Sequence, residues 1–347
     1  MENNTIKQLE IILKKQTKFF DREEFLRDIR TLTSNLEHEL VDFPKTYSFK
    51  EIIDKNLNNI LNPFLNNSNF IPTGFNNLDK FIGGFSFGEL VVLGARPGMG
   101  KTQLLVNLCL NICQNVGTAF ISLDLSEQSL LKRFISCITH IPQQNLNPNT
   151  LKENEIASIK LITSKIAKQN IIIQTSPIFR LDLFINSCRK LCNEKNIRVF
   201  IIDYLQLINV GNRWQNRDAE LSVVMHKLKK LAIELNVIFI LSSQLSRNVE
   251  NRGGDLMPKL SDLSESGSIE QDADKVLFIY RPEYYRLLSD EYGNPAELLA
   301  KIIIAKNRSG KIGNISLKRD EQFTYFTDWD KIPDSFVIPE NRHGDIR

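Results

Sequence analysis

The stretch ARPGMGKT, Ala95 to Thr102, lies between the apolar run ELVVLG and the helical pattern QLLVNLCLNIC. Strand, glycine turn and helix in that order constrain this chain more than any other feature, because they build a loop that holds phosphates. Glycines let successive backbone N–H groups converge on phosphate oxygens. A lysine meets the outer phosphates, and a Ser or Thr hydroxyl meets the metal that accompanies them. Gly98 and Gly100 supply the permissive backbone, Lys101 the charge and Thr102 the hydroxyl. The expected nucleotide-binding segment is therefore Ala95, Arg96, Pro97, Gly98, Met99, Gly100, Lys101, Thr102 and Gln103, holding ATP with Mg²⁺. The strict pattern has glycine where this chain has Ala95; the strand–loop–helix context is unaffected.

An ATPase built on such a loop needs a carboxylate at a neighbouring strand end to hold the metal. VFIIDYLQLI offers Asp203 directly after four apolar residues. An acid at the end of a buried strand is costly unless it meets a cation or donors, so Asp203 joins Thr102 as a metal ligand; the plainer alternative is a structural ion pair. Hydrolysis needs a further carboxylate to polarise the attacking water. AFISLDLSEQ places Asp124 at the end of the strand that follows the loop's helix, and Glu127 one turn on, where it would cap the next helix. ILSSQLSR places Gln244 at another strand tip, where an amide can sense a γ-phosphate.

From Thr73 to about Phe326 short apolar runs (ELVVLG, GTAFISL, NIIIQT, VFIIDY, VIFILSS, KVLFIY) alternate with helical patterns at 102–114, 127–138, 181–192 and 218–235. Such alternation predicts an α/β fold whose mostly parallel central sheet is covered on both faces. LAKIIIAKNRSGKIGNISLKR predicts a late hairpin turning near Ser309-Gly310. Four divisions follow: a short helical segment 1–44, a linker helix and linker 45–70, the ATPase domain 71–330 and a tail 331–347. Ser48 and Glu51 have capping-box spacing ahead of a helix whose Phe49, Ile52, Ile53, Leu57, Ile60 and Leu61 share one face. That face would pack on a neighbouring subunit or on its own domain.

A chain of 347 residues with formal net charge +3 advertises no global basic field, although a motor that grips nucleic acid with one inner loop needs none. The pairs Cys109/Cys113 and Cys188/Cys192 sit at i,i+4 in apolar helical patterns without metal-ligand spacing, and read as core residues of a reducing compartment. The opening MENNTIKQLEII has neither a signal-peptide nor a membrane-span pattern, so the expected location is cytoplasmic, with no membrane partner.

Together these segments resemble the C-terminal motor domain of the DnaB-type replicative helicases, a RecA-like family. The resemblance runs through PTGFNNLDKFIGGFSFGELVVLGARPGMGKT, FISLDLSEQ, IIDYLQLI, LSSQLSRNVENR, SDLSESGSIEQDADKVLFIYR and IIIAKNRSGKIG, over roughly residues 45–326. It implies a RecA-like P-loop core acting as a homo-hexameric ring around single-stranded DNA, moving 5′–3′ to unwind duplex during replication. Lys306 and Arg308 match the basic pair that the family inserts into the next subunit's nucleotide site. The helix at 48–61 matches the linker that docks on the adjacent subunit. The DNA grip should come from two polar loops, NVGNRWQNRD and NVENRGGDLMPKLSDLSESG, with Arg247, Arg252, Glu265, Ser266 and Gly267 as contact residues; of these Glu265 and Gly267 match the family's backbone-tracking positions.

Three departures bear on that reading. The family usually has Glu where this chain has Asp124, which is one methylene shorter. It usually has Arg at the position of Ser264 and often at that of His226, and a basic pair at Leu256-Met257, so the channel should be less positive. Its globular N-terminal domain, which forms a collar and recruits primase, is here about 44 residues, which puts a primase or loader partner in question. The alternative to an active helicase is a ring that binds ATP and DNA but hydrolyses slowly, acting as regulator, loader or degenerate paralogue.

Overall fold

The computed structural model describes residues 46–54 and 70–330, apart from 148, 177–178, 212–216, 253–255, 264–266, 291–292, 294 and 323. The chain divides into two units, Met1–Asn67 and Ser68–Arg347. In the first, residues 49–54 are helical, and the predicted capping box is present: the Ser48 N–H donates to Glu51 Oε2 at 2.7 Å and the Glu51 N–H to Ser48 Oγ at 3.2 Å. Phe49, Ile52 and Ile53 are exposed there at 77%, 45% and 37%. The predicted segment 1–44, the rest of the linker helix and the tail 331–347 lie outside the described residues.

The second unit is built on a nine-stranded sheet. Its strands are β3 (Leu90–Ala95), β4 (Gly117–Ser122), β5 (Ile171–Thr175), β7 (Ile197–Asp203), β9 (Ile238–Gln244), β10 (Lys275–Tyr280), β11 (Leu299–Asn307), β12 (Gly313–Arg319) and β13 (Phe326–Asp328). Two-residue pairings flank it: β1 (Phe70–Ile71) with β2 (Phe85–Ser86), and β6 (Phe179–Arg180) with β8 (Ile208–Asn209). The order across the sheet is β13-β12-β11-β10-β3-β9-β7-β4-β5. All pairings from β10 to β5 are parallel, and β11, β12 and β13 add antiparallel strands at the β10 side. The apolar runs of the sequence thus became the parallel strands, all largely buried except β5, the edge strand, which has no buried residue, and the late hairpin formed at its predicted turn.

The helices are α1 (Asn76–Ile82), α2 (Lys101–Ile112), α3 (Glu127–Thr139), α4 (Glu153–Ile166), α5 (Leu181–Lys195), α6 (Arg217–Leu235), α7 (Asn248–Asn251) and α8 (Gly267–Asp272). Every residue of β3 is buried, and its side chains alternate between two cores. Val91, Leu93 and Ala95 join α1, α2 and α3 on one face; Leu90 and Val92 join α5 and α6 on the other. This is why the strand reads as a continuous apolar run rather than an alternating one.

Helix α2 is buried along most of its length, yet carries Gln103, Asn107 and Asn111 at four-residue spacing. That stripe binds backbone. Gln103 Nε2 donates to the Thr324 carbonyl, Asn107 Oδ1 accepts from the Phe326 N–H at 2.9 Å, and Asn111 Nδ2 donates to the Thr73 carbonyl at 3.0 Å. It fastens the end of the described chain over the helix that leaves the phosphate loop. Asp328 completes the join by accepting from the Asn76 and Asn77 N–H groups, which caps α1 in the absence of a side-chain cap at Phe75.

All five cysteines are free and buried. Burial pushes the Cys113 and Cys137 thiols up to about 12, which keeps them protonated and unreactive. No helix among the described residues is long and apolar enough to cross a membrane.

Candidate nucleotide site

The chain leaves β3 to form β4 on the far side of β9 and β7, so a crevice opens at the carboxyl ends of these strands. Gly98 and Gly100 hold φ of +81° and +97°, a region L side chains rarely enter, and a Cβ on Gly98 would stand 3.3 Å from the Tyr284 ring. Gly100 caps α2, so the free N–H groups of that helix's first turn face the crevice. A cleft of about 450 Å³ forms there, lined by Arg96, Pro97, Gly98, Gly100, Lys101, Thr102, Gln103, Asp124, Arg133, Asp203, Tyr204 and Gln244.

Lys101 Nζ lies 5.2 Å from the Tyr204 ring centre. Burial lowers its pKa, and the nearby Asp203 and Asp124 carboxylates oppose that fall. Thr102 Oγ1 donates to Asp203 Oδ2 at 2.6 Å, and Ser242 Oγ donates to Asp203 Oδ1. These are hard oxygen donors with one formal charge, which suits a Mg²⁺ ion that keeps waters and phosphate oxygens for its other positions. No cluster of three or more His, Cys, Asp or Glu side chains able to enclose a metal exists among the described residues.

Asp124 stands exposed in the cleft, two residues past the end of β4, which pairs with β7. Glu127 does not line the cleft. It opens α3 after the true cap, Ser126, and accepts a hydrogen bond from Thr175. Gln244 ends β9 opposite Ala95 and faces the same space.

Three segment residues have other business. Ala95 is the buried last residue of β3, and Met99 is buried in the core. The Arg96 guanidinium turns away from the phosphate position: Nε binds Glu250 at 2.8 Å and an Nη the Leu245 carbonyl at 2.9 Å. These three shape the loop, which leaves Gly98, Gly100, Lys101 and Thr102 as the loop residues that line the cleft without such commitments to the core.

Arg133, on α3, was not legible as a site residue, and the structure brings it into the cleft. Burial lowers its pKa against the pull of Asp203 and Asp124. Its Nε has no hydrogen-bond partner among the described residues. An under-satisfied guanidinium beside a phosphate loop is a ready anion ligand.

Lys306 and Arg308 lie far from this cleft. Lys275 pairs with Val91 on one side and Asn307 on the other, so the basic pair sits where β3 begins. That is roughly 15 Å along the strand from the phosphate loop, at about 3.3 Å per residue. Neither side chain can serve its own subunit's nucleotide.

Of the expected DNA contacts, Arg247 is exposed beyond β9 and Gly267 opens α8. Glu265, Ser266 and the departure at Ser264 lie outside the described residues, as does most of the loop after β8. Arg252 is committed elsewhere: it ion-pairs with buried Asp262 and donates to the Met257 carbonyl.

Phosphate loop, strand-end acids and the order of the sheet define a P-loop domain of RecA-like fold. The chain belongs to the DnaB-like helicase C-terminal domain family, whose model matches residues 70–328. It is 37% identical over 272 residues to the replicative DNA helicase DnaB of Geobacillus stearothermophilus, covering 78% of this chain and 59% of that protein. It is 34% identical over 332 residues to the replicative DNA helicase DnaC of Bacillus subtilis (strain 168), covering 92% and 71%. A probable plasmid replicative DNA helicase of Chlamydia psittaci is 36% identical over 250 residues, covering 72% and 53%. The chain thus spans less than two thirds of the length of the Geobacillus relative. Among solved structures, an ATPase domain superposes with a TM-score of 0.75 at 29% identity, covering 82% of this chain and all of that one. A DnaB-like replicative helicase studied with its primase interactions gives 0.77 at 26% identity, covering 95% and 76%.

Proposed function

We propose that this chain is the ATP-hydrolysing motor of a DNA helicase that translocates on single-stranded DNA as a homo-hexamer during replication. The observation that carries the reading is the division of catalytic groups: Lys101, Thr102, Asp203, Asp124, Arg133 and Gln244 in one cleft, Lys306 and Arg308 at the opposite end of the sheet. A nucleotide in the cleft lacks the second set of cations until another copy supplies it, which makes a ring the natural working form.

Within the cleft, the α2 N–H groups and Lys101 would hold the β- and γ-phosphates. Thr102 and Asp203 would hold Mg²⁺, which when bound neutralises developing charge on the phosphate oxygens. Asp124 takes a proton from the attacking water as its oxygen bonds to the γ-phosphorus and the bond to ADP breaks. Gln244 reads the γ-phosphate at the head of the loop that carries Arg247. Binding to DNA would use backbone N–H groups and few cations, so a shallow salt dependence is expected.

The exposed Phe49–Ile53 face and an apolar groove between α3, α4 and edge strand β5, about 600 Å³, fit a linker helix docking on the next copy. Retention of Lys101, Thr102, Asp203, Gln244, Lys306 and Arg308 together favours a working helicase over a regulatory or loading ring, even with turnover slowed by the shorter Asp124, and recruitment of a primase or loader belongs to this proposal only as far as the family suggests it. The deciding experiment measures ATP turnover with and without single-stranded DNA beside unwinding of a forked duplex, with Lys101→Ala as control. DNA-stimulated turnover and unwinding, both lost in Lys101→Ala, are expected. Turnover that ignores DNA, with no unwinding, would overturn the helicase reading.

A further inference from the structure

The motif SIEQDADKV contains an acid that the nucleotide site does not use. Asp274 is nearly buried, at the junction of α8 and β10. Its Oδ1 lies 3.2 Å from an Arg308 terminal nitrogen, and its backbone carbonyl accepts the Arg308 N–H at 2.9 Å. Its Oδ2 accepts from Lys229 Nζ at 2.6 Å and from the Leu90 N–H at 2.8 Å. The second Arg308 terminal nitrogen donates to the Gln271 carbonyl at the end of α8, where Lys306 Nζ also binds the Glu270 and Gln271 carbonyls.

This grip is directional. A guanidinium has five N–H donors in one plane. Two are used here, one on each terminal nitrogen. The others meet no acceptor among the described residues, and the Arg308 side chain is 49% exposed. A simple surface ion pair would leave the arginine free to pivot; two bonds to rigid elements at a helix end and a strand start do not. Lys229 neutralises the Asp274 oxygen that does not face Arg308, so the acid binds the guanidinium without cancelling the charge it offers outward.

We infer that Asp274 is the positioning residue for Arg308, fixing the guanidinium that completes the nucleotide site of the adjacent copy. The inference rests on the shared-site reading above. Through Leu90, the same carboxylate also holds the start of the strand whose other end is its own phosphate loop. The competing role is therefore support of that strand within its own subunit.

Subunit mixing separates the two roles. Asp274→Asn should keep nucleotide affinity within about two-fold and lose roughly ten- to a hundred-fold in kcat, the scale of a catalytic group displaced by about an ångström. Mixed with Lys101→Ala, it should regain turnover, because its intact phosphate loop then meets an intact Arg308 from the other variant. Asp274→Glu keeps the charge for Lys229 but moves the carboxyl by one methylene; a smaller kcat loss and the same rescue are expected, including where Asp274→Asn fails to fold. Arg308→Ala mixed with Lys101→Ala is the reference. If the reference pair recovers and neither Asp274 variant does, Asp274 acts on its own strand and the inference is wrong. If the reference pair also fails in rings shown to mix, the shared site itself falls, and the inference with it.

Discussion

Thr102 Oγ1 donates to Asp203 Oδ2 at 2.6 Å, joining the first turn of α2 to the end of β7 across 101 positions of sequence. The other Asp203 oxygen accepts from Ser242, on β9. A carboxylate held from both sides keeps its place without a metal, so binding need not reorganise it. Asp203→Asn preserves shape and removes charge. It should lower Mg²⁺-dependent ATP turnover by about a hundred- to a thousand-fold, the range for losing one charge-stabilising group. Ser242→Ala removes only one anchoring hydrogen bond and should cost about ten-fold. Turnover measured against Mg²⁺ concentration tests both.

At the other end of the sheet, Lys275 is fully buried and ion-pairs with Glu89, which is almost as buried. Glu89 also accepts from the Ser86 N–H at 2.9 Å. Removing one partner strands a charge in the core. Lys275→Met should destabilise the domain by about 3–5 kcal/mol, while adding Glu89→Gln should recover much of that loss. Urea unfolding of both variants checks the pair; equal stabilities for the single and double variants would contradict it.

Glu283 predicts an acid limb. Burial works to raise its pKa, but hydrogen bonds from Arg319 and Arg281 outweigh that and bring it down from 4.5 to about 2. Arg281 in turn donates to the Gly98 carbonyl at 2.9 Å, so this cluster braces the phosphate loop. A folded-state pKa below the unfolded one means stability that is fully present above pH 4.5 and is lost as pH falls toward 2. Glu283→Gln, which has no such titration, should be less stable than the parent protein at pH 7. The gap should close between pH 4.5 and 2 in acid-unfolding curves.

The parts of the site that end strands were legible in the sequence. Asp124, Asp203 and Gln244 each follow a short apolar run, and the parallel strands β4, β7 and β9 put those run-ends together at the carboxyl end of the sheet. Helix α4 was not legible: none of its residues is fully buried, so no sharp apolar face marks it. Arg133 was hidden for another reason. It sits in the middle of a helix with no glycine, proline or cap beside it, and only the packing of α3 over the sheet turns it toward Asp203. Arg96 was read as a phosphate contact because of its place in the loop, and its tie to Glu250 depends on a segment more than a hundred residues away. Lys306 and Arg308 carry no local signal at all; their proposed role came from family resemblance, and the strand register shows only that they sit at the far end of β3 from the cleft.

Arg133 supplies its own test. Its side chain lines the cleft beside the phosphate loop and its Nε lacks a partner among the described residues. Arg133→Ala should lower kcat by about a hundred-fold with little change in ATP affinity, as expected for a donor engaged most strongly in the transition state. Arg133→Lys keeps charge without the planar fork and should recover only part of the loss. A parallel rise in KM with unchanged kcat would assign Arg133 to ground-state binding instead.

On the proposed mechanism, Asp124 sets the rate of the chemical step. The family usually carries glutamate here, and the shorter side chain sets the carboxylate back from the attacking water by one methylene. A general base of this kind contributes about a hundred- to ten-thousand-fold, so a partial loss leaves a slow ATPase rather than a dead one. Asp124→Asn keeps shape and removes the base; it should bind ATP and not turn it over. Glu127 offers no substitute, since it lies outside the cleft and is engaged with Thr175. Asp124→Glu restores the longer reach and should raise kcat if the carboxyl ends of β4 and β7 keep their spacing. Single-turnover hydrolysis with saturating ATP separates the cases, because it reads the chemical step without product release. Hydrolysis by Asp124→Asn at the parental rate would remove Asp124 from the mechanism. A slower Asp124→Glu would mean that the cleft has closed around aspartate and that the shorter acid is compensated by its surroundings, with Lys101 and Arg133 the cations close enough to have moved.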